Sequence, residues 1–432
     1  MKLKLGLILC LICSVGSIAQ PQTELPASLT VEQAVELSLS RNQDVVTAVK
    51  DVDKAKATVG EARSAALPQV NFEADATHVD NYNTAYSGDT VRSEQYSAIV
   101  SFSQALSTFG RVDNALRGAK IYVQLAESKL ELAKQTVTFQ VTQAFYDVLL
   151  AQELITVNRQ AIDIAESHLH TAQLRYEQGT GSEFEMLRAK VRVANLQPGL
   201  IAANNQLVLA KQNLNAILNI APEQPITFIG KLSYTDYLPS SDSAWQVAQQ
   251  YRPDLRILNQ SKQIAEVQLK YYKAGYRPNL YLVANYTDQL VKFGPTPDDW
   301  VGSWYTGLSL QWPIFDGFRT ASQIRGAKSG LAQTQAAYEK GLLFAQVDVK
   351  QTCLQIKEAS TLIASALEAV KLAERSLSMA KISFENGRAT TLDVSDAQLA
   401  LTTAQTNFAQ AEHDYQVAIA KLKLAIGTTA LP

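Results

Sequence analysis

Large apolar residues recur at every seventh position between Leu342 and Phe384. A second, mostly small residue follows three places after each of the first six. This heptad pattern predicts a long α-helix that coils left-handed around a partner, and the small residues let the two backbones approach closely. The partner helix follows the polar turn 385–391. The large residues are Leu342, Val349, Ile356, Ile363, Val370, Leu377 and Phe384, and the small ones are Ala345, Thr352, Ala359, Ala366, Ala373 and Ala380.

The same pattern occurs 208 residues earlier, where Val141 matches Val349 and Gly179 matches Gly387. The chain is therefore predicted to be a tandem duplication. Each half has the order helix, two strands, long helix, turn and return helix. The predicted divisions are a signal peptide over 1–19, a first repeat over 20–220, a linker over 221–242 and a second repeat over 243–432.

Two segments in each half alternate apolar and polar residues, as half-buried strands do. In the second half, Trp304 and Trp312 are eight residues apart on one apolar face. At about 3.3 Å per residue they lie roughly 26 Å apart, close to the ~25 Å lipid-facing band of membrane barrels with aromatic girdles at its edges. We expect these tryptophans to form a membrane girdle. A soluble sandwich is the alternative, but the helices are too long for a compact core.

Prolines, glycines and helix-capping residues indicate the remaining predicted boundaries. One helix is expected from Thr30 to Ala66 and its counterpart from Ser243 to Gly275. The first long helix is expected to reach Tyr176, and its return helix to kink at Pro198. The predicted loops between strands cover residues 80–94 and 291–303, and the return helix covers 184–219.

The net charge and the N-terminal segment together predict an exported protein that does not bind nucleic acid. The net charge is −2 with 19% charged residues, which does not favour nucleic-acid binding. Lys2 and Lys4 precede an apolar run that ends at Ala19, as in a cleaved signal peptide. No later run of 18 apolar residues predicts a transmembrane helix. Cys10 and Cys13, neither in a convincing lipoprotein context, would leave with the signal, so Cys353 has no partner for an intrachain disulfide.

Four strands cannot close a membrane barrel, because an open edge in lipid leaves backbone groups unpaired. A barrel shared by two chains would have eight strands and a filled interior, whereas one shared by three would have twelve and room for a channel. A helix of about 65 residues is roughly 100 Å long, far more than the hydrocarbon thickness of about 30 Å. The helices are therefore expected to project into the periplasm.

Several motifs, each present in both halves, resemble those of the TolC-like outer-membrane efflux factors. The segment from Trp312 to Arg319 (WPIFDGFR) resembles the family's strand-exit motif, and its first-half counterpart at 104–111 lacks the proline. Gly-Ala-Lys occurs at 118–120 and again at 326–328. The tip sequences YEQG and FENG end at Gly179 and Gly387. The resemblance covers essentially all of the mature sequence.

This resemblance implies a mainly α fold with a small β part. Long coiled-coil hairpins would form a periplasmic α-barrel, and four strands per chain would contribute to a shared 12-stranded transmembrane β-barrel in a homotrimer. Such a protein sits in outer-membrane lipid as an exit duct for small molecules or proteins. Its implied partners are a periplasmic adaptor and an inner-membrane transporter of RND or ABC type. The alternative is a trimeric coiled-coil structural or adhesin-like surface protein.

No catalytic constellation is visible, and we expect neither an enzyme nor a cofactor. His168 and His170 are two residues apart on a helix, so they point to different faces and make a poor metal pair. No glycine-rich phosphate loop follows a strand. The candidate functional residues therefore lie at the tips of the hairpins.

Asp393 and Asp396 share a helix face beside the second tip turn. Helix N-termini favour acids through the helix dipole, which explains them without any function. The resemblance implies instead that they ring the periplasmic entrance, with raised pKa values, and Glu185 occupies the comparable place in the first half. Phe384 and Arg388 stand near the family's gate positions, but the residue two after the tip glycine is Ala389 rather than arginine. Gly179 and Gly387 mark the expected adaptor-docking turns.

Overall fold

The computed structural model describes residues 27–82, 90–293 and 299–428. The predicted signal peptide lies outside the described residues. The elements in chain order are β1 (Ser28–Leu29), α1 (Val31–Arg41), α2 (Gln43–Ser64), β2 (Gln69–Tyr82), β3 (Thr90–Ser107), α3 (Arg111–Glu177), α4 (Glu183–Ile217), β4 (Thr227–Phe228), α5 (Ser241–Tyr251), α6 (Pro253–Lys273), a 3₁₀ turn (Ala274–Tyr276), β5 (Asn279–Phe293), β6 (Val301–Gln311), α7 (Arg319–Glu385) and α8 (Thr391–Ile426).

The two long helices confirm the predicted hairpins. α3 and α7 each contain 67 residues, which is about 100 Å of helix. Their return helices are α4 and α8, and α4 continues through Pro198 without a break, so the predicted kink there stays a prediction. The buried residues of the second hairpin follow the heptad: Ala345, Val349, Thr352, Ile356, Ala359, Ile363, Ala373, Leu377 and Phe384 in α7, and Val394, Ala397, Leu401, Ala404, Ala411, Tyr415, Ala418, Leu422 and Ala425 in α8.

The single helices predicted before each strand pair are wrong, because each is split in two. Asn42 is extended (ψ 132°), and its side chain caps α2 by accepting from the Asp44 N–H at 2.9 Å. Its amide also donates to the Ile217 carbonyl at 2.9 Å, so the break is anchored to α4. In the second half the break falls at Arg252, because Pro253 excludes a helical conformation for the residue before it.

The predicted loops between the strands are too long. β2 continues to Tyr82 and β3 begins at Thr90, with these two residues paired. Likewise β5 continues to Phe293 and β6 begins at Val301. The polar ends of these strands carry no apolar alternation, and backbone pairing alone extends the hairpins. The turns themselves, residues 83–89 and 294–298, lie outside the described residues.

The four long strands form one antiparallel sheet in the order β2-β3-β5-β6. The central pair, β3 and β5, joins the two halves of the chain and contains an irregularity between Ala105 and Ser107. β2 and β6 are the edges of the sheet among the described residues. The two repeats therefore contribute equally to a single sheet.

The segment between the repeats packs against the helices instead of hanging free. β4 pairs in parallel with β1, which places Leu29 beside Phe228, and both side chains are 2% exposed. These two-residue strands are too short to produce a periodic pattern, so they could not be predicted from the sequence. Further on, the Tyr415 hydroxyl and the Gln416 amide of α8 donate to the Thr235 and Ser233 carbonyls.

Among the described residues, no helix is both long and apolar enough to cross a membrane. The long helices are amphipathic, with their buried side chains confined to stripes along the hairpins.

Candidate entrance, gate and membrane surface

Each helical hairpin turns at a glycine in the left-handed region. Gly179 has φ 73° and Gly387 has φ 70°, where a side chain would be strained. The Gly387 N–H donates to the Phe384 carbonyl at 2.9 Å, and this bond helps to end α7. Both glycines are exposed. They are helix caps, and they also form an accessible surface at the hairpin tips.

Asp393 takes part in a capping box at the start of α8. Its carboxylate accepts from the Thr390 N–H at 2.7 Å and from the Thr390 hydroxyl at 2.8 Å. These bonds hold the pKa of Asp393 below its usual value. The raised pKa expected from neighbouring carboxylates is therefore not seen for Asp393 within one chain. Asp396, one turn further along α8, is exposed to solvent.

Glu185 lies in the first turn of α4, where the Ser182 hydroxyl caps the helix by accepting the Glu185 N–H at 3.2 Å. The charge of Glu185 acts on His168 of α3. Burial holds the pKa of His168 below its usual value, Lys381 adds to this, and Glu185 opposes it. Glu185 thus lies close to the contact between the two hairpins.

Phe384 is buried at the end of α7, with 2% exposure. Its ring lies 4.6 Å from the His168 ring, and the Arg175 guanidinium stacks 4.8 Å from its centre. Arg175 also donates to the Phe384 carbonyl at 2.8 Å. These contacts join the first hairpin to the second beside the tips, through a hydrogen bond and a cation–π contact.

The contact made by Arg175 could not be predicted from the sequence. An arginine in the last turn of a helix is usually explained by the helix dipole, and the matching residue of the second repeat is Ser383, so the duplication gave no hint. Arg388, which the sequence suggested for the gate, is exposed, and its backbone N–H donates to the Ser383 carbonyl at 2.8 Å. Among the predicted residues, Phe384 is the one that the structure places in an inter-hairpin contact.

The sheet carries an exposed apolar face. Trp304 is 75% exposed, and Leu308 and Leu310 on the same face of β6 are 66% and 62% exposed. Trp312 is 60% exposed, but it lies one residue beyond the end of β6 and not within the strand as predicted. Its indole N–H donates to the Tyr276 carbonyl at 3.1 Å. A large exposed apolar patch with an anchored tryptophan is typical of a lipid-facing surface.

No group of three or more metal-ligating side chains occurs in the part of the chain that the structure describes. His168 is buried and His170 is exposed, so these two side chains do not face a common ion.

An apolar sheet surface attached to two helical hairpins of about 100 Å defines a channel protein of the outer membrane, with a large helical part in the periplasm. The family model described as outer membrane efflux protein matches residues 34–219 and 244–428, one match in each half. The chain belongs to the outer membrane efflux protein family.

Known proteins of this kind align over most of the chain. Outer membrane protein TolC of Vibrio cholerae is 24% identical over 384 residues, which cover 87% of this chain and 85% of the relative. The cobalt-zinc-cadmium resistance protein CzcC of Cupriavidus metallidurans is 24% identical, with 94% of each chain covered. The structure of the outer membrane protein VceC from Vibrio cholerae superposes with a TM-score of 0.78 at 18% identity, over 92% of this chain and 96% of that one.

These matches are to outer-membrane efflux and channel proteins. They support the exit duct of an efflux system and give no support to the coiled-coil surface protein that the heptads alone left open.

Proposed function

We propose that three copies of this chain form one continuous duct, which carries small molecules or proteins from an inner-membrane transporter of RND or ABC type across the periplasm and the outer membrane. A periplasmic adaptor would join the two. The duct itself supplies no energy, so its structural requirements are closure, a passage and a gated entrance.

The proposal rests on an interface between the long helix of one repeat and the return helix of the other. One of the two possible interfaces of this kind is formed within the chain, and the other is not. Within the chain, α8 packs on α3, and Ala409 of α8 is 2% exposed. The matching residue of the first repeat is Ile201 in α4, which is 60% exposed. α4 and α7 share no extensive packing among the described residues. The duplication therefore predicts that α4 of one copy packs on α7 of the next.

Apolar side chains are exposed along the faces of α4 and α7 that point away from their own hairpin partners. A monomer in water would not leave so many exposed, and a second copy that covers them would stabilise the assembly. They are Phe184, Leu187, Val191, Ile201, Val208 and Leu209 in α4, and Leu343, Phe344, Val347, Leu354, Leu362, Leu367, Leu372, Met379 and Ile382 in α7.

The sheet supports the same assembly. Its edges β2 and β6 have no further strand partner among the described residues, and unpaired backbone groups are costly in lipid. Pairing β6 of one copy with β2 of the next removes both edges. Three copies give twelve strands, enough for a barrel with an open interior, whereas two give eight and a filled one.

At the other end, the tip turns at Gly179 and Gly387 form the surface on which the adaptor docks. Asp393, Asp396 and Glu185 supply the carboxylates of the entrance, which favour cations and repel anions. Trp304 and Trp312 belong to the membrane girdle. Phe384 closes the entrance by packing, and Arg175 holds it to the first hairpin.

Cysteine crosslinking tests the assembly. His413 of α8 contacts Asp147 of α3, and Gln398 contacts Ala161. In this register Ala409 lies level with Ala151, about one turn from Leu154, and the matching pair between copies is Ile201 and Leu362. In a Cys353→Ala background, Ile201→Cys with Leu362→Cys should give covalent trimers from outer-membrane fractions on non-reducing gels. Ile201→Cys with Gln333→Cys is the control, because these positions are roughly 40 Å apart along the helix axis. Crosslinked dimers without trimers, or monomers alone, would overturn the proposal.

A further inference from the structure

His413 of α8 lies in the interface between the two hairpins of one chain. Its side chain is 10% exposed, and its Nε2 is 2.8 Å from a carboxylate oxygen of Asp147 on α3. Its Nδ1 is 2.9 Å from a carboxylate oxygen of Asp414, the next residue of α8. Both ring nitrogens therefore face a carboxylate, and one of these carboxylates belongs to the other repeat.

This geometry favours a protonated ring, because the two ring nitrogens lie 2.8 Å and 2.9 Å from a carboxylate oxygen. A neutral imidazole has one N–H donor and one lone pair, so one carboxylate would face a lone pair at hydrogen-bond distance. The imidazolium donates to both. Burial lowers the pKa of His413, but the hydrogen bonds and charges of Asp147 and Asp414 outweigh it, and the pKa is raised above its usual value.

The other charged groups near the ring do not supply the positive charge that the imidazolium places between the two carboxylates. On α8, Glu412 is half-buried, and burial together with Glu153 of α3 raises the pKa of its carboxyl group. Gln410 of α8 donates to Asp414 at 2.8 Å. On the α7 side, Lys421, two turns further along α8, donates to Gln355 at 3.2 Å. The charged groups that face His413 from α3 and from α8 itself are acidic, and the neutral Gln410 amide lies 3.5 Å from its Nδ1.

Two other polar contacts along this interface are made by amides, which do not titrate. Gln398 of α8 donates to the Ala161 carbonyl, and Gln135 of α3 donates to the Gly427 carbonyl at 2.9 Å. His413 lies between these two amide contacts. Protonation of one ring therefore changes the strength of this interface without changing its neighbours.

The duplication supplies an internal comparison. The residues that match Asp147, His413 and Asp414 in the other repeat are Gln355, Asn205 and Gln206. All three are amides, which stay neutral at every accessible pH. The interface between α4 and α7 of neighbouring copies therefore lacks the titratable group that the interface within the chain contains.

We infer that the His413–Asp147 contact is a proton-dependent joint between the two hairpins, held when the ring is protonated and loosened when it is neutral. The stabilisation is complete below the ordinary histidine pKa of about 6.5 and is lost as the pH rises through the raised pKa of the folded chain. If the trimer forms as proposed above, the α3–α8 interfaces within chains alternate around the duct with the α4–α7 interfaces between copies, and the α3–α8 interfaces respond to pH through this histidine. The joint itself does not depend on that assembly.

Hydrogen–deuterium exchange of the purified full-length protein tests this joint, because its readout does not involve transport. Backbone exchange in peptides that contain residues 408–418 and 142–152 is compared between about pH 5.5 and about pH 8.5, on either side of the histidine range, after correction for intrinsic rates. The wild type should lose about tenfold of its protection at the higher pH, as expected for a charge-assisted hydrogen bond.

His413→Asn, which introduces the amide of the other repeat, should abolish this pH dependence, and Asp147→Asn should reduce it. His170→Asn is the matched control, because His170 is exposed on α3, and it should behave as the wild type. Wild-type pH dependence in His413→Asn would overturn the inference. If that variant does not fold, unchanged pH dependence in Asp147→Asn would overturn it equally.

Discussion

Arg175 shows how a single side chain joins the two hairpins. Its guanidinium binds the Phe384 carbonyl and stacks on the Phe384 ring, so it contributes a charged hydrogen bond and a cation–π contact. Arg388, three residues beyond the end of α7, is exposed. At the residue scale, the contact that joins the two hairpins beside the tips is therefore made by Arg175.

Single-channel recording can separate these two arginines. Arg175→Ala removes the inter-hairpin contact and should raise the conductance of the closed state several-fold, because a charged hydrogen bond is worth about 1.5–3 kcal/mol. Arg388→Ala should leave the conductance within about twofold of the wild type. The opposite ranking, with Arg388→Ala the more open variant, would return the latch to the residue that the sequence suggested.

The tip residues also show the limits of prediction from one sequence. The glycine caps and the acids at the start of α8 follow from local rules, and the structure places them at the expected helix ends. Arg175 and His413 could not be found in this way, because their partners are 209 and 266 residues away in the chain. Contacts of that kind depend on how the two repeats pack and not on any local pattern.

At the scale of the elements, the heptad pattern was the most informative feature. It predicted both hairpins, and the buried residues of α7 and α8 recur with the period of the heptad. The breaks at Asn42 and Arg252 were missed, since each interrupts an otherwise continuous helical pattern with a single residue. The polar ends of the strands were missed because backbone pairing, which leaves no trace in side-chain polarity, extends them.

Substitutions in the α7–α8 interface should lower the free energy of unfolding by an amount that grows with the volume removed. Ile356 is fully buried, so Ile356→Val should lower the free energy of unfolding by about 0.5–1.5 kcal/mol and Ile356→Ala by about 2–5 kcal/mol. Lys357→Ala, at the adjacent exposed position, should stay within about 0.5 kcal/mol of the wild type. Denaturant unfolding followed by circular dichroism measures these changes. Equal effects at the two positions would show that the heptad is not the core of the hairpin.

At the scale of the whole molecule, the duplication supports the proposed assembly. One chain contains two similar halves, yet the α3–α8 interface has no extensive counterpart between α4 and α7 among the described residues. In the proposed trimer, the exposed helix faces and the two sheet edges are the surfaces that meet between copies. The duplication could be predicted because the heptad pattern recurs at a spacing of 208 residues, and the family model matches each half of the chain. The sequence contains no pattern that names the cargo.

Single-channel recording in planar bilayers tests whether the assembled protein is a conducting duct with an acidic entrance. The wild type is compared with Asp393→Asn/Asp396→Asn. The account predicts discrete, cation-selective steps for the wild type, because the entrance carboxylates attract cations. The double variant should conduct with reduced cation selectivity. Wild-type trimers that insert into the bilayer without conducting would contradict the duct. An identical selectivity in the double variant would remove the two acids from the entrance.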